Sequence, residues 1–134
     1  MALMKAAEWR PSFLFSEIIH LHFYKYRYNN VMDILSIIKA LSNESRYSIL
    51  QYLKQPEKHF PLQIHLQDED DFAGGVCVGA IAEKAGLAQS VVSGYLAKLQ
   101  QAGLLECRRI GQWTYYRRNE AGIQSFIEHF KDEL

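Results

Sequence analysis

Cysteine, proline and net charge are all scarce in this chain. Its 134 residues hold two cysteines and three prolines, and 15 Lys and Arg balance 15 Asp and Glu. Two cysteines, Cys77 and Cys107, without CxxC spacing exclude a disulfide framework, so a reduced, cytoplasmic protein is the expectation. A net charge of zero gives no overall pull toward nucleic acid, so any such partner must be met by local placement of charge. No run approaches the roughly 18 uninterrupted apolar residues of a membrane span. The best stretch, "FLFSEIIHLHF", is short, contains Glu17, His20 and His22, and lacks a secretory cleavage site. No membrane association is expected. With 49% hydrophobic and 22% charged residues, the chain has enough apolar material for one globular core.

Residues 1–31 differ in character from the rest of the chain. They carry Trp9, Phe13, Phe15, Phe23, Tyr24, Tyr26 and Tyr28, and end in "YKYRYNN", which has no helical period. This extension reads either as an extra helix with an aromatic stripe or as sequence upstream of the true start. The folded domain is expected over 32–134, opening at Met32 and Asp33.

Ile34, Ile37, Ile38 and Leu41 fall on one helical face, and Ile49, Leu50 and Leu53 on a second. Ser42 or Asn43 can cap the second helix. Pro56 and Pro61 are expected to stop it, and the pattern fails from Gln55 to Gly75. His59, His65 and the acidic run Asp68 to Asp71 read there as a solvated linker, since nothing fixes them as metal ligands.

Order returns after Gly75. "VCVGAIAEKAGL" predicts a short helix with Val78, Ile81 and Ala82 inward and Gly86 as its stop. "AQSVVSGYLAKLQQAG" predicts another, with Val92, Leu96 and Leu99 inward and Gly103 at its end. "LLECRRIGQWTYYRR" has strand composition, with Gly111 and Gln112 as a two-residue hairpin turn. Ile123, Phe126, Ile127 and Phe130 mark an amphipathic terminal helix. The fold class is therefore mainly α with a small β-hairpin: a winged helix-turn-helix of about five helices and a two-stranded wing.

Two short helices joined by a glycine turn and followed by a hairpin form a motif whose second helix enters the major groove. Gln89, Ser90 and Ser93 are polar groups of suitable length for base edges or phosphates. Gly94 costs about 1 kcal/mol of helix stability against Ala and clears space for close backbone approach. Tyr95 and Lys98 can bind phosphate. Arg108, Arg109, Arg117 and Arg118 concentrate cations on the hairpin, opposed by Glu106, with Gln112 and Trp113 at its tip. Charges on a hairpin are ordinarily a solvated face; their juxtaposition with the helix pair is what points to DNA.

The segments "IIKALSNESRYSILQYL", "VGAIAEKAGLAQSVVSGYLAKLQQAGLL" and "RRIGQWTYYRR" resemble the ArsR/SmtB-type winged-helix repressors of bacteria, from about Met32 to the C-terminus. That family's recognition-helix pattern, Ser-Gln-Ser-Thr-Val-Ser-x-His-Leu-x-x-Leu, reads here Ala88-Gln89-Ser90-Val91-Val92-Ser93-Gly94-Tyr95-Leu96-Ala97-Lys98-Leu99. The resemblance implies a homodimer built on the first and last helices, binding a palindromic operator and released by an effector. Ala88 lacks the usual capping hydroxyl, Val91 replaces Thr and Tyr95 replaces His, so an operator sequence does not carry over.

The family's arsenic-type site uses Cys-Val-Cys where this chain has Cys77-Val78-Gly79. Its zinc-type site uses Asp-x-His where this chain has Glu120-Ala121-Gly122. Neither supplies the three or four ligands a tight site needs, so no metal or other cofactor is expected. Cys77, at or before a helix N-terminus, is either a thiol sensor or a packing residue. Two other classes fit the residues less well. A winged-helix module that docks proteins would want an apolar recognition face. An enzyme would want a nucleophile–base–orienter set, a phosphate loop or paired carboxylates, and none is spaced suggestively.

Overall fold

The computed structural model describes residues 34–134; the extension 1–31, "YKYRYNN" and the expected domain start at Met32 lie outside the described residues. Among those described, the chain forms six helices, one 3₁₀ turn and a three-stranded antiparallel sheet.

Helix α1 covers 34–41 and buries Ile37 and Ala40. Ile38, expected inward, is 41% exposed: the buried side of α1 centres on Ile37 and Ala40, and Ile38 lies roughly 160° round the helix from Ala40. Helix α2, Glu44–Tyr52, starts where Asn43 Oδ1 accepts the Arg46 amide at 3.0 Å. Ser42 turns the other way, its hydroxyl donating to the Lys39 carbonyl. Arg46 is buried and closes the preceding helix: its Nε donates to the Ala40 carbonyl at 2.7 Å and Nη2 to that of Lys39 at 3.1 Å. Those carbonyls have no partner within their own helix, so the guanidinium satisfies them. Pro56 does not stop α2, which ends at Tyr52. It opens a single-turn helix α3, Pro56–His59, where a missing N–H costs nothing.

Val76–Cys77 form β1, a strand too short to show a sequence pattern. Helix α4, Val78–Ala85, and helix α5, Gln89–Gln101, make the helix-turn-helix. Both end the same way. Leu87 N–H reaches the Ala82 carbonyl past Gly86, and Leu104 N–H reaches that of Leu99 past Gly103. Each glycine has positive φ, as this helix ending requires.

β2, Leu105–Ile110, and β3, Trp113–Arg118, pair with Ile110 opposite Trp113. Gly111 carries positive φ and Gln112 does not, which matches a type II′ turn. The strand order is β1-β3-β2, so the expected two-stranded wing gains a third strand, with Val76 opposite Tyr116.

One cluster joins Ile49, Leu50, Leu53, Val76, Ile81, Val92, Leu96, Leu99, Leu104 and Leu105. Each fully buried aliphatic side chain among them contributes about 1.5–3 kcal/mol relative to exposure. Helix α6, Glu120–Glu133, is capped by Asn119, whose Oδ1 accepts the Gly122 amide while Nδ2 donates to the Gly103 carbonyl at 3.0 Å. A Cβ at Gly122 would strike that carbonyl oxygen. The helix buries none of its residues fully, and Ile127 is 51% exposed.

Candidate nucleic-acid interface

The outer face of α5 is the complement of its inner one. Val92, Leu96 and Leu99 are fully buried, so at 3.6 residues per turn Gln89, Ser90, Ser93, Gly94 and Lys98 are turned outward, and all five are exposed. Val91 joins them at 42% exposure, an apolar group of the kind that meets a thymine methyl; burial alone revealed it. Ala88 gives the helix no side-chain cap, which leaves the first amides of α5 directed at solvent, where a phosphate binds readily. A Cβ at Gly94 would meet nothing within 4 Å. No internal packing therefore requires the glycine, despite its cost to the helix.

Tyr95 is placed differently from its neighbours. It is half-buried against the core, and the Arg46 guanidinium stands 5.3 Å from its ring centroid. Helix α5 thus leans on the residue that closes α1, a contact that residue spacing could not show.

The wing cations divide sharply. Arg117 pairs with Glu106 and Arg118 with Glu120, each at 2.7 Å, and Arg118 also donates to the Leu50 carbonyl. Arg118 lowers the Glu120 carboxyl below the usual carboxylate range. Arg108 donates to the carbonyls of Asp70 and Asp71, at 2.6 and 3.1 Å. Arg109 is exposed and makes no hydrogen bond or ion pair among the described residues, and Gln112 is exposed at the tip. Of the four arginines, Arg109 is the one open to an incoming phosphate.

The connection before the sheet is not the solvated linker the sequence implied. Alternate strand residues point to opposite faces. Arg108, Tyr115 and Arg117 share the face away from the helical core, and residues 60–75 cover it. Phe72 is buried, with the Arg108 and Arg117 guanidinium carbons 4.9 and 4.2 Å from its ring centroid. His65 stacks on Trp113 at 5.0 Å with rings nearly parallel. Gln63 Oε1 accepts the Cys77 amide at 2.9 Å. Cys77 occupies the N-cap position of α4 with no capping bond from its side chain, and both cysteines are half-buried. Among the described residues, no three His, Cys, Asp or Glu side chains converge as a metal site, and no helix is long and apolar enough to cross a membrane.

Known proteins share these elements. The family model for bacterial regulatory proteins of the arsR family matches residues 74–106, from the turn before β1 into β2. The uncharacterized HTH-type transcriptional regulator YbzH of Bacillus subtilis is 43% identical over 103 residues, which span 77% of this chain and 100% of that protein. The chain belongs to the arsR family of bacterial regulatory proteins. It is a DNA-binding transcriptional regulator with a winged helix-turn-helix fold. A similar solved structure is the homodimeric winged helix-turn-helix DNA-binding domain of a possible ArsR-family transcriptional regulator from Mycobacterium bovis. It is 28% identical, with TM-score 0.56 over 80% of this chain and 85% of the other. An ArsR-like transcriptional regulator from Rhodococcus sp., 19% identical, shares the fold at TM-score 0.58 over 78% and 81% of the two chains. In this arsR-family regulator, α4 and α5 are the helix-turn-helix and β2–β3 the wing.

Proposed function

We propose that this regulator is a cytoplasmic homodimeric repressor that occupies a palindromic operator and leaves it when an effector binds. The observation that carries the DNA contact is the outward face of α5. It is uncharged and hydrogen-bonding at Gln89, Ser90 and Ser93, with an otherwise unexplained glycine at position 94. In this reading Gln89, Ser90 and Ser93 read base edges, Gly94 admits the backbone, and Lys98, Arg109 and Gln112 hold phosphates. Tyr95 reaches DNA only by the edge left clear of Arg46. Arg108 contributes to the field of the wing from its place on the loop.

Dimerisation is supported by apolar residues on both terminal helices of the described region. Leu35 and Ile38 on α1 and Ile127 and Phe130 on α6 are exposed. The similar M. bovis domain is homodimeric. A pair of recognition helices related by a two-fold axis matches a palindrome with half-sites about one helical turn apart.

The test is an anisotropy titration of a duplex carrying the gene's own promoter at several salt concentrations. Affinity should fall steeply, by about a thousandfold or more between 50 and 200 mM salt if six or more phosphates are met. Sedimentation should give a dimer. Binding that ignores salt, or no binding to that promoter, would overturn the reading.

A further inference from the structure

Residues 56–76 line an open pocket of about 530 Å³, within the range of small-molecule sites. Its floor is apolar, built from the buried Phe60, Phe72 and Val76, and Leu62 stands exposed at 87% on its margin. Among the described residues, the charged side chains that line it are Glu57, Asp68 and Asp71, with no Lys, Arg or His. Asp70 is already engaged, accepting the Gln67 amide at 2.8 Å. Glu57, Asp68 and Asp71 make no side-chain hydrogen bond or ion pair among the described residues. Arg108 and Arg117 approach the Phe72 ring but do not line the cavity, and Arg117 is neutralised by Glu106. An apolar floor beneath three carboxylates that have no partner among the described residues suits an organic cation with a hydrophobic body, with the Arg108 guanidinium held outside the lining on the Asp70 and Asp71 carbonyls.

The same wall touches the wing. Asp71 lines the cavity, holds a left-handed φ of +50°, and accepts Arg108 on its carbonyl. The carboxylate that faces the cavity and the carbonyl that holds Arg108 thus belong to one residue, so a ligand that reorients the side chain acts on that contact. His65, on the same connection, stacks on Trp113 at the wing tip.

We infer that the cavity formed by residues 56–76 binds a hydrophobic ammonium ion, and that its occupancy shifts the wing through Asp71, Arg108 and the His65–Trp113 stack. The site stands on its own geometry; its meaning as the effector site rests on the proposed operator reading.

The experiment uses the full chain without DNA, so its outcome is separate from that of operator binding. Calorimetry at neutral pH compares 2-phenylethylammonium with the neutral 2-phenylethanol and the anionic 3-phenylpropionate. The cation should bind about tenfold or more tightly than the alcohol, and the anion not at all. In Glu57→Gln with Asp68→Asn, cation affinity should fall about tenfold while that of the alcohol changes less than about twofold. Both positions are exposed, and an unchanged thermal midpoint shows that the variant folds; the single substitutions serve if it does not. In a Trp9→Phe background, Trp113 emission should follow the cation with the same affinity. Equal binding of the three probes, or cation binding indifferent to the carboxylates, overturns the site. Trp113 emission unchanged at saturation overturns the link to the wing.

Discussion

The two faces of the sheet are held by different chemistry. Toward the helices, Val76 and Leu105 join Val92, Leu96 and Leu99 in one apolar cluster, and Arg118 reaches back to the Leu50 carbonyl. Toward the 60–75 connection, Phe72 lies against two guanidinium groups, and Arg108, Arg117 and Gln63 make their bonds to backbone groups 14 to 44 residues away. The first face is stabilised by area removed from water, a force without directional preference. The second depends on single donors meeting single acceptors. The first face is the scaffold; the second is expected to open before the domain unfolds.

Substitutions can break that contrast, beginning with the scaffold. Leu96→Ala should cost about 2–5 kcal/mol in global stability, measured by denaturant unfolding, because the fully buried site leaves a cavity. Phe72→Ala removes a larger side chain yet should cost the global transition less, about 2 kcal/mol, while amide exchange in residues 60–75 accelerates and α4 and α5 stay protected. Equal losses in the two variants would mean that the connection folds as one unit with the core. Gln63→Ala should cost about 1 kcal/mol by leaving the Cys77 amide without its acceptor, seen as faster exchange at that amide.

The wing sharpens the contrast further. Arg109→Ala should weaken operator binding uniformly across sequences and reduce the salt slope by about one, whereas Arg108→Ala should change the slope less, because its guanidinium already rests on Asp70 and Asp71. The smallest effect concerns alkaline pH. Burial first, and then a hydrogen bond with Cys107, raises the Tyr116 hydroxyl from 10.0 to about 12, and burial raises Tyr115 as well. The unfolded chain therefore releases these protons before the folded one does. The stability they lend is fully present below pH 10.0 and is lost as pH rises toward about 12. Tyr116→Phe should flatten that decline in thermal melts.

How much was legible in the sequence divides along the same line. Period and glycine punctuation were enough for α4 and α5, because Val92, Leu96 and Leu99 recur at helical spacing and Gly86 and Gly103 stand where positive φ is required. The turn at Gly111 was readable for the same reason. Periodicity set the inward stripe of α1 too far round the helix: Ile38 and Ala40, two positions apart, lie on nearly opposite sides, and the weakly hydrophobic Ala40 gave little signal that its side is the buried one. Val76 and Cys77 are too few to show alternation. Counting cations on the hairpin overstated its free charge, because Glu106 lies directly across the sheet from Arg117 and Glu120 sits two residues beyond Arg118. Phe72 sits among acidic and small residues, and its burial depends on arginines more than 30 positions away.

The close approach of Gly103 and Gly122, locked by the Asn119 amide, has a further consequence. It sets the distance between the end of the recognition helix and the start of the last helix to within the thickness of one backbone. In the proposed dimer, where the last helix shares the interface with α1, that distance acts as a ruler. Two copies of it determine how far apart the recognition helices stand, and hence which half-site spacing fits. An added methyl group at position 122 would therefore act as a change of spacing preference, legible in a panel of operators that differ only in the length of their central spacer.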